Sequence, residues 1–203
     1  YTIRDAMQRD SGEAIRRVAD MGYAYVEGAG YNDGKLYGRS PRNFKALLDK
    51  YSLTMPSGHI DWKVLKAAPE QAAATCREIG QKYVVLPYWP EENRTAAGYA
   101  ELVSILNTAG EVCKNYGLQL AYHNHDFEFT KMVAGRRPMD MLLQEVDPDL
   151  VQFELDLYWI TRAGSDYQKY FREHAGRFPL WHIKDMDDTP EKYFASVGSG
   201  VID

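Results

Sequence analysis

The chain has 203 residues, 45% of them hydrophobic, which excludes a disordered or fibrous protein and supplies apolar side chains for a sizeable core. Charged residues make up 26% and the net charge is −5, with acids and bases interleaved rather than blocked, so no basic face for nucleic acid is expected. No apolar run reaches the roughly 18 residues of a membrane span, and Cys76 and Cys113 share no metal-binding spacing and read as core filler.

Short strand-like runs alternate with helical patterns along the whole chain. YTI (1 to 3) reads as the end of a first strand, and AIRRVADMG (14 to 22) follows with apolar residues at helical spacing. YAYVEG (23 to 28) is the second strand, FKALLDKY (44 to 51) a helix, and LTMPSGH (53 to 59) and KYVVLPY (82 to 88) the third and fourth strands. ELVSILNTAGEVCKNYG (101 to 117) is a long helix ending in glycine, a common helix stop. LQLAYHNH (118 to 125), VQFELDLY (151 to 158) and PLWHIKD (179 to 185) complete a set of seven. Strand starts fall 22 to 36 residues apart, the size of a β-α unit, and no Ser/Gly-rich linker divides the chain. The expectation is one continuous domain over residues 1–203.

Seven β-α units fit a doubly wound sheet or a closed barrel, and the strand faces choose between them. In VQFELDLY, Val151, Phe153, Leu155 and Leu157 share one face, while Gln152, Glu154, Asp156 and Tyr158 share the other. LQLAYHNH likewise puts Gln119, His123 and His125 opposite Leu118, Leu120 and Tyr122. Polar rows inside a β/α protein suit a barrel, where inward residues near the C-terminal strand ends form the active site. There is also no Gly-rich phosphate loop after the first strand. The expected fold is therefore an α/β TIM (β/α)8-type barrel that lacks the start of strand one and all of strand eight, incomplete at both ends.

The last three strand ends carry the candidate chemistry: His123, His125 and Glu128, then Glu154 and Asp156, then His182, Lys184 and Asp185. Imidazoles and carboxylates without thiolate suit a divalent ion such as Zn, Mn, Co or Mg. Asp156 and His182 are the strongest pair, since an acid and an imidazole on neighbouring inner faces need a common partner. Glu154 is either a substrate contact or an ion pair with Lys184. His59, in SGHID, is read equally as a core histidine or a substrate contact. Trp89, Tyr158 and Trp159 are core or pocket wall, and aromatic walls near strand ends suit the apolar faces of sugar rings.

Taken together, YHNHDFEF (122 to 129), FELDLYWITRAG (153 to 164), GRFPLWHIKD (176 to 185) and VGSGVID (197 to 203) resemble the sugar phosphate isomerase/epimerase family of xylose isomerase-like TIM barrels. MGYAYVEGAGY (21 to 31) and SGHID (57 to 61) extend the likeness over nearly the whole chain. The resemblance implies one divalent metal held by Glu, Asp, His and Glu from the later strands. Asp156 and His182 match the second and third ligands. Glu128 is the choice for the first, with His123 or His125 as alternatives, and the fourth has no counterpart before Asp203. Glu128, His125 and Lys184 are then the proton-transfer groups, and His59, His123, Glu154 and Trp159 the substrate contacts.

The implied reaction is isomerisation or epimerisation of a sugar, keto-sugar or sugar phosphate: a proton leaves the carbon beside a carbonyl and the metal stabilises the enediolate. The alternative is a lyase that eliminates water or an alkoxide from a 3-keto-glycoside or inosose. An abasic-site endonuclease of the same superfamily is disfavoured by the charge, and a barrel that binds sugar without catalysis needs no tightly held ion. The expected partner is a small carbohydrate, with neither nucleic acid nor membrane, and the protein is compatible with a homodimer. The expected compartment is the cytoplasm, or the periplasm if a signal has been removed ahead of Tyr1.

Overall fold

A computed structural model describes residues 1–203. The chain divides into two compact units, Tyr1–Leu86 with Thr108–Leu120 and Pro87–Asn107 with Ala121–Asp203. No helix is long and apolar enough to cross a membrane.

The first unit corrects one expectation at once, because Tyr1–Ile3 form no strand. The Arg4 amide donates to the Tyr1 carbonyl and the Met7 amide to that of Ile3, turning the chain directly into α1 (Arg4–Arg9). With no neighbouring strand beside it, this segment satisfies its backbone locally, as a helical turn. α2 (Ser11–Asp20) starts where the Asp10 carboxylate accepts from the amides of Gly12 and Glu13, an N-cap that fixes the boundary. β1 (Tyr25–Gly28) is followed by a small hairpin, β2 (Tyr31–Asn32) and β3 (Lys35–Leu36), and then by α3 (Pro41–Lys50). β4 (Thr54–His59), α4 (Trp62–Ala67), α5 (Pro69–Ile79) and β5 (Tyr83–Leu86) complete the alternation. The core joins Ile15 of α2, Phe44 and Leu48 of α3, Met55 of β4 and Ile79 of α5. β1, β4 and β5 are parallel and follow in chain order, with Glu27 opposite Ser57 and His59 opposite Val85. Burial pushes the thiols of Cys76 and Cys113 up to about 12, so both stay protonated core residues.

α6 (Ala96–Asn115) supplies residues to both units and leads to β6 (Gln119–His123). In the second unit Ala121–His123 of β6 are followed by α7 (Phe127–Thr130), α8 (Pro138–Glu145), β7 (Val151–Asp156), α9 (Leu157–Arg162), α10 (Tyr167–Glu173) and β8 (Leu180–His182). Again the parallel order is the chain order. The alternation expected of β7 is present: Val151, Phe153 and Leu155 are fully buried in apolar surroundings, while Glu154 and Asp156 share the other face. The strand is two residues shorter than expected. Asp156 caps α9 by accepting from the Trp159 amide, so Leu157 and Tyr158 are helical.

PLWHIKD also divides. Leu180–His182 pair with β7, and β9 (Asp185–Met186) instead forms an antiparallel hairpin with β10 (Phe194–Ala195). Asp185, considered above as a metal ligand, has a different task. Its buried carboxylate accepts from the amides of Met186, Gly198, Gly200 and Ile202, and the Gly200 amide heads the donors that hold its pKa below the usual carboxylate range. Gly200 is required by this approach, since a Cβ there would stand 2.3 Å from Asp185 Oδ1 and from the Met186 carbonyl oxygen.

Asp185→Ala is expected to release residues 198–202. Their amides should exchange with solvent far faster than in the parent protein, while the amides of β7 keep their protection. Unchanged exchange at Gly198 and Gly200, followed by NMR or mass spectrometry, would show that the carboxylate does not hold this segment.

Candidate functional site

Three strand ends of the second unit meet at Asp156. Its register partner on β8 is His182, and His123 ends β6. Asp156 Oδ2 lies 3.2 Å from His123 Nε2 and 3.4 Å from His182 Nδ1, and those two nitrogens are 2.9 Å apart. Lys184 also donates to Asp156 Oδ2. Asp156 is fully buried, and its backbone amide donates to the Asn124 side-chain oxygen at 2.9 Å, tying the end of β7 to the turn after β6. Burial pushes the Asp156 carboxyl up, but whenever a proton sits on the facing His123 and His182 nitrogens their hydrogen bonds, together with the Lys184 charge, outweigh it and hold the group well below the carboxylate range.

The tautomers follow from the outer partners. His123 Nδ1 is 3.1 Å from the Pro87 carbonyl oxygen, which only accepts, so this nitrogen carries the hydrogen and the neutral ring presents a lone pair at Nε2. His182 Nε2 lies 3.4 Å from Glu154 Oε2, which likewise assigns its hydrogen to Nε2 and leaves the lone pair on Nδ1. Two imidazole lone pairs and a carboxylate oxygen therefore face one another. Lys184 neutralises the carboxylate side only, so the two facing nitrogens remain repulsive until a cation or proton stands between them. Its edges of 2.9, 3.2 and 3.4 Å are close to the roughly 3.3 Å edge of a tetrahedron with zinc-like bonds of about 2.0–2.1 Å. A histidine whose second nitrogen donates to a backbone carbonyl or carboxylate is the usual arrangement of a metal ligand. The residues present thus fit a divalent ion, with N₂O donors on one face.

Glu128, expected as first ligand and proton-transfer group, lies elsewhere. It is fully buried on α7, where Oε1 accepts from the Tyr122 hydroxyl at 2.6 Å and Oε2 from the His125 amide at 2.8 Å. Tyr122 and His123 are successive residues of β6 and point to opposite faces, so Glu128 is drawn to the face away from Asp156. His125 has left the strand and packs among rings. Its centroid is 5.6 Å from Phe127 in a stacked arrangement, 5.2 Å from Tyr88 and 5.3 Å from Trp159. Its Nδ1 is buried without a hydrogen-bond partner. Burial first, then the charge His123 carries when protonated, lowers the His125 imidazole to about 3.

In the first unit, His59 Nε2 lies 3.0 Å from Glu27 Oε1, and the Ser57 hydroxyl donates to Glu27 Oε2 at 2.6 Å. Ser57 and His59 are two apart on β4 and so share a face, with Glu27 alongside on β1. Sequence reading missed Glu27 and Ser57, although an acid inside the apolar run YAYVEG was a visible signal. It also gave no role to Asn124, whose position between two histidines was the only hint.

The fold and donor set define a parallel α/β protein whose candidate donors His123, Asp156 and His182 sit at the C-terminal ends of their strands. Residues 15–203 match the model of the xylose isomerase-like TIM barrel family, and the chain belongs to that family. An inosose dehydratase of Geobacillus kaustophilus is 25% identical over 199 residues, covering 86% of this chain and 61% of that protein, so the chain spans less than two thirds of this relative. A sugar phosphate isomerase/epimerase of Parabacteroides distasonis superposes with a TM-score of 0.78 at 27% identity, over 92% of this chain and 77% of the other. The IolI protein, solved with a bound zinc atom, shares the fold at a TM-score of 0.68 and 16% identity, over 95% of this chain and 75% of that one.

The buried acid and imidazole give opposed pH dependences. Burial raises the Glu128 carboxyl from 4.5 to about 7, against the hydrogen bonds from Tyr122 and His125. Its protonated form is the one the fold favours, so its contribution is fully present below about 4.5 and is lost as pH rises through about 7. The depressed His125 acts the other way, favouring the fold above its ordinary 6.5 and losing that contribution as pH falls towards about 3. Comparison with Glu128→Gln isolates the carboxyl. The variant should gain stability relative to the parent by about 3 kcal/mol as pH rises from 4.5 to beyond 7, from about 2.5 pKa units at 1.36 kcal/mol each. Urea unfolding across that range checks it, and a constant difference would mean that Glu128 is ionised throughout.

Proposed function

We propose that the protein is a divalent-metal-dependent lyase that removes water from a keto-polyol, with His123, Asp156 and His182 as the metal ligands. The observation that carries this reading is the convergence of two imidazole nitrogens and a buried carboxylate oxygen within 3.4 Å. The isomerase or epimerase expected from the sequence shares its first step, loss of a proton beside a carbonyl. Elimination is preferred because the relative matching 86% of this chain is named inosose dehydratase. His123 replaces Glu128 as the ligand from β6, and Glu128 becomes the residue that holds the turn carrying His125.

When bound, the ion supplies a positive charge that stabilises the enolate oxygen. The side chains do the rest. Glu154, oriented by its contact with His182, accepts the proton from the carbon beside the carbonyl. Lys184, one third exposed and anchored on Asp156, donates a proton to the departing hydroxyl, so that the carbon–oxygen bond breaks to release water. The proton gained by Glu154 and the one lost by Lys184 balance through solvent at the end of the turnover. The rings of His125 and Trp159 limit access of water to the reacting carbons.

Asp156→Ala and His123→Ala are each expected to lower metal affinity at least 100-fold and to abolish turnover, whereas Glu128→Gln retains the ion. Metal analysis after dialysis, and NMR of an inosose in D2O, provide the readouts. Loss of water with a new carbon–carbon double bond supports the lyase. Deuterium exchange with a rearranged or epimeric product would instead identify an isomerase, and full metal retention in His123→Ala would overturn the ligand set.

A further inference from the structure

We infer that Phe194, with Trp159, forms an aromatic platform for the C–H face of a cyclic polyol, which makes Phe194 a specificity-determining residue of the proposed site. The inference rests on the proposed function and narrows its substrate class. Phe194 lies on β10 and is 60% exposed, whereas Tyr158 behind it is 3% exposed. Its ring centroid is 4.1 Å from Tyr158 and 6.0 Å from Trp159. The Lys184 ammonium, which contacts Asp156, lies 5.7 Å from the same centroid. An exposed ring thus stands one residue away from the donor set. It also extends a wall of rings that runs from Tyr88 through His125 to Trp159, with centroid steps of 5.2 and 5.3 Å.

The ring is held there rather than left loose. The Tyr158 hydroxyl donates to the Lys192 carbonyl at 2.7 Å, and Arg162 donates to the carbonyls of Glu191 and Lys192 at 2.8 and 2.9 Å. Asp187 accepts from the Thr189 hydroxyl and from the amides of Thr189 and Tyr193, closing the turn of the hairpin. An apolar face kept in water by this many polar contacts calls for a partner that is apolar on one side and polar on the other. The ring of a cyclic polyol has that character: its C–H bonds lie against the platform while its hydroxyls turn towards Lys184 and the carboxylates. An open-chain substrate offers no flat face and gains less.

The test measures two quantities in the intact protein and in Phe194→Leu, Phe194→Ala and Phe194→Trp. One is the binding of myo-inositol, a cyclic polyol without the reactive carbonyl, by NMR titration; the other is turnover of an inosose. Leucine and alanine are expected to weaken binding about tenfold and raise KM about as much, with kcat within twofold, unchanged metal content and an unchanged melting temperature. Tryptophan, which keeps an aromatic face, should restore affinity. Turnover with the parent KM in Phe194→Leu overturns the platform and leaves the proposed function standing. Myo-inositol binding that follows the expected order while no inosose is turned over upholds the platform and overturns the lyase. Neither binding nor turnover by the parent protein overturns both.

Discussion

The second unit depends on how one buried carboxylate is shared. Asp156 Oδ1 accepts from the Trp159 amide and starts α9, while Oδ2 gathers His123, His182 and Lys184. A charge taken fully out of water costs several kcal/mol unless its oxygens are saturated with donors or bound to a cation. Here both demands act on one side chain. The cap fixes where the strand ends and so fixes the height at which Oδ2 meets the histidines. The Asn124 amide side chain, bonded to the backbone of Asp156, sets the same height from the neighbouring strand. Local helix initiation and site geometry are therefore a single constraint, because neither oxygen can move without disturbing the other's partners.

Much of this was legible beforehand, for a physical reason. Strand alternation is a property of the backbone, so VQFELDLY already revealed an apolar face and an acidic one, and a register pairing with PLWHIKD brought Asp156 to His182. The polar inner faces of these strands and the absence of a glycine-rich phosphate loop were enough to prefer a barrel. The failures lie where side chains compete with the backbone pattern. Tyr158 looked like the next inward residue of a strand, but the Asp156 cap had already turned the chain into a helix. YTI looked like a strand by composition, yet a strand needs a neighbour and these residues have none.

Glu128 is the instructive case for the site. Its place in a dense run of ligand-like residues pointed to a metal, and the short helix α7 carries it to the Tyr122 side of β6 instead. Sequence distance along an irregular turn says little about direction, whereas the two-residue period of a strand says a great deal. The same argument explains why His123, the donor proposed from β6, was harder to choose than Asp156: three candidates followed one another just where the regular period ends. The outer partners that decide its tautomer, above all the Pro87 carbonyl, come from the backbone of another loop and leave no trace in residue identity.

The hairpin between β9 and β10 hangs from α9 through main-chain carbonyls, those of Glu191 and Lys192, gripped by Tyr158 and Arg162. Carbonyl oxygens are the same whatever side chain they carry. The tip of this hairpin can therefore exchange residues while its attachment persists, provided Asp187 still closes the turn and the chain keeps the left-handed backbone found at Lys192, where φ is 55°. That makes it an interchangeable fitting on a fixed mount. Variation in such a segment would alter what lies over the strand ends without touching Asp156 or its neighbours, a route by which one set of donors is offered to differently shaped molecules.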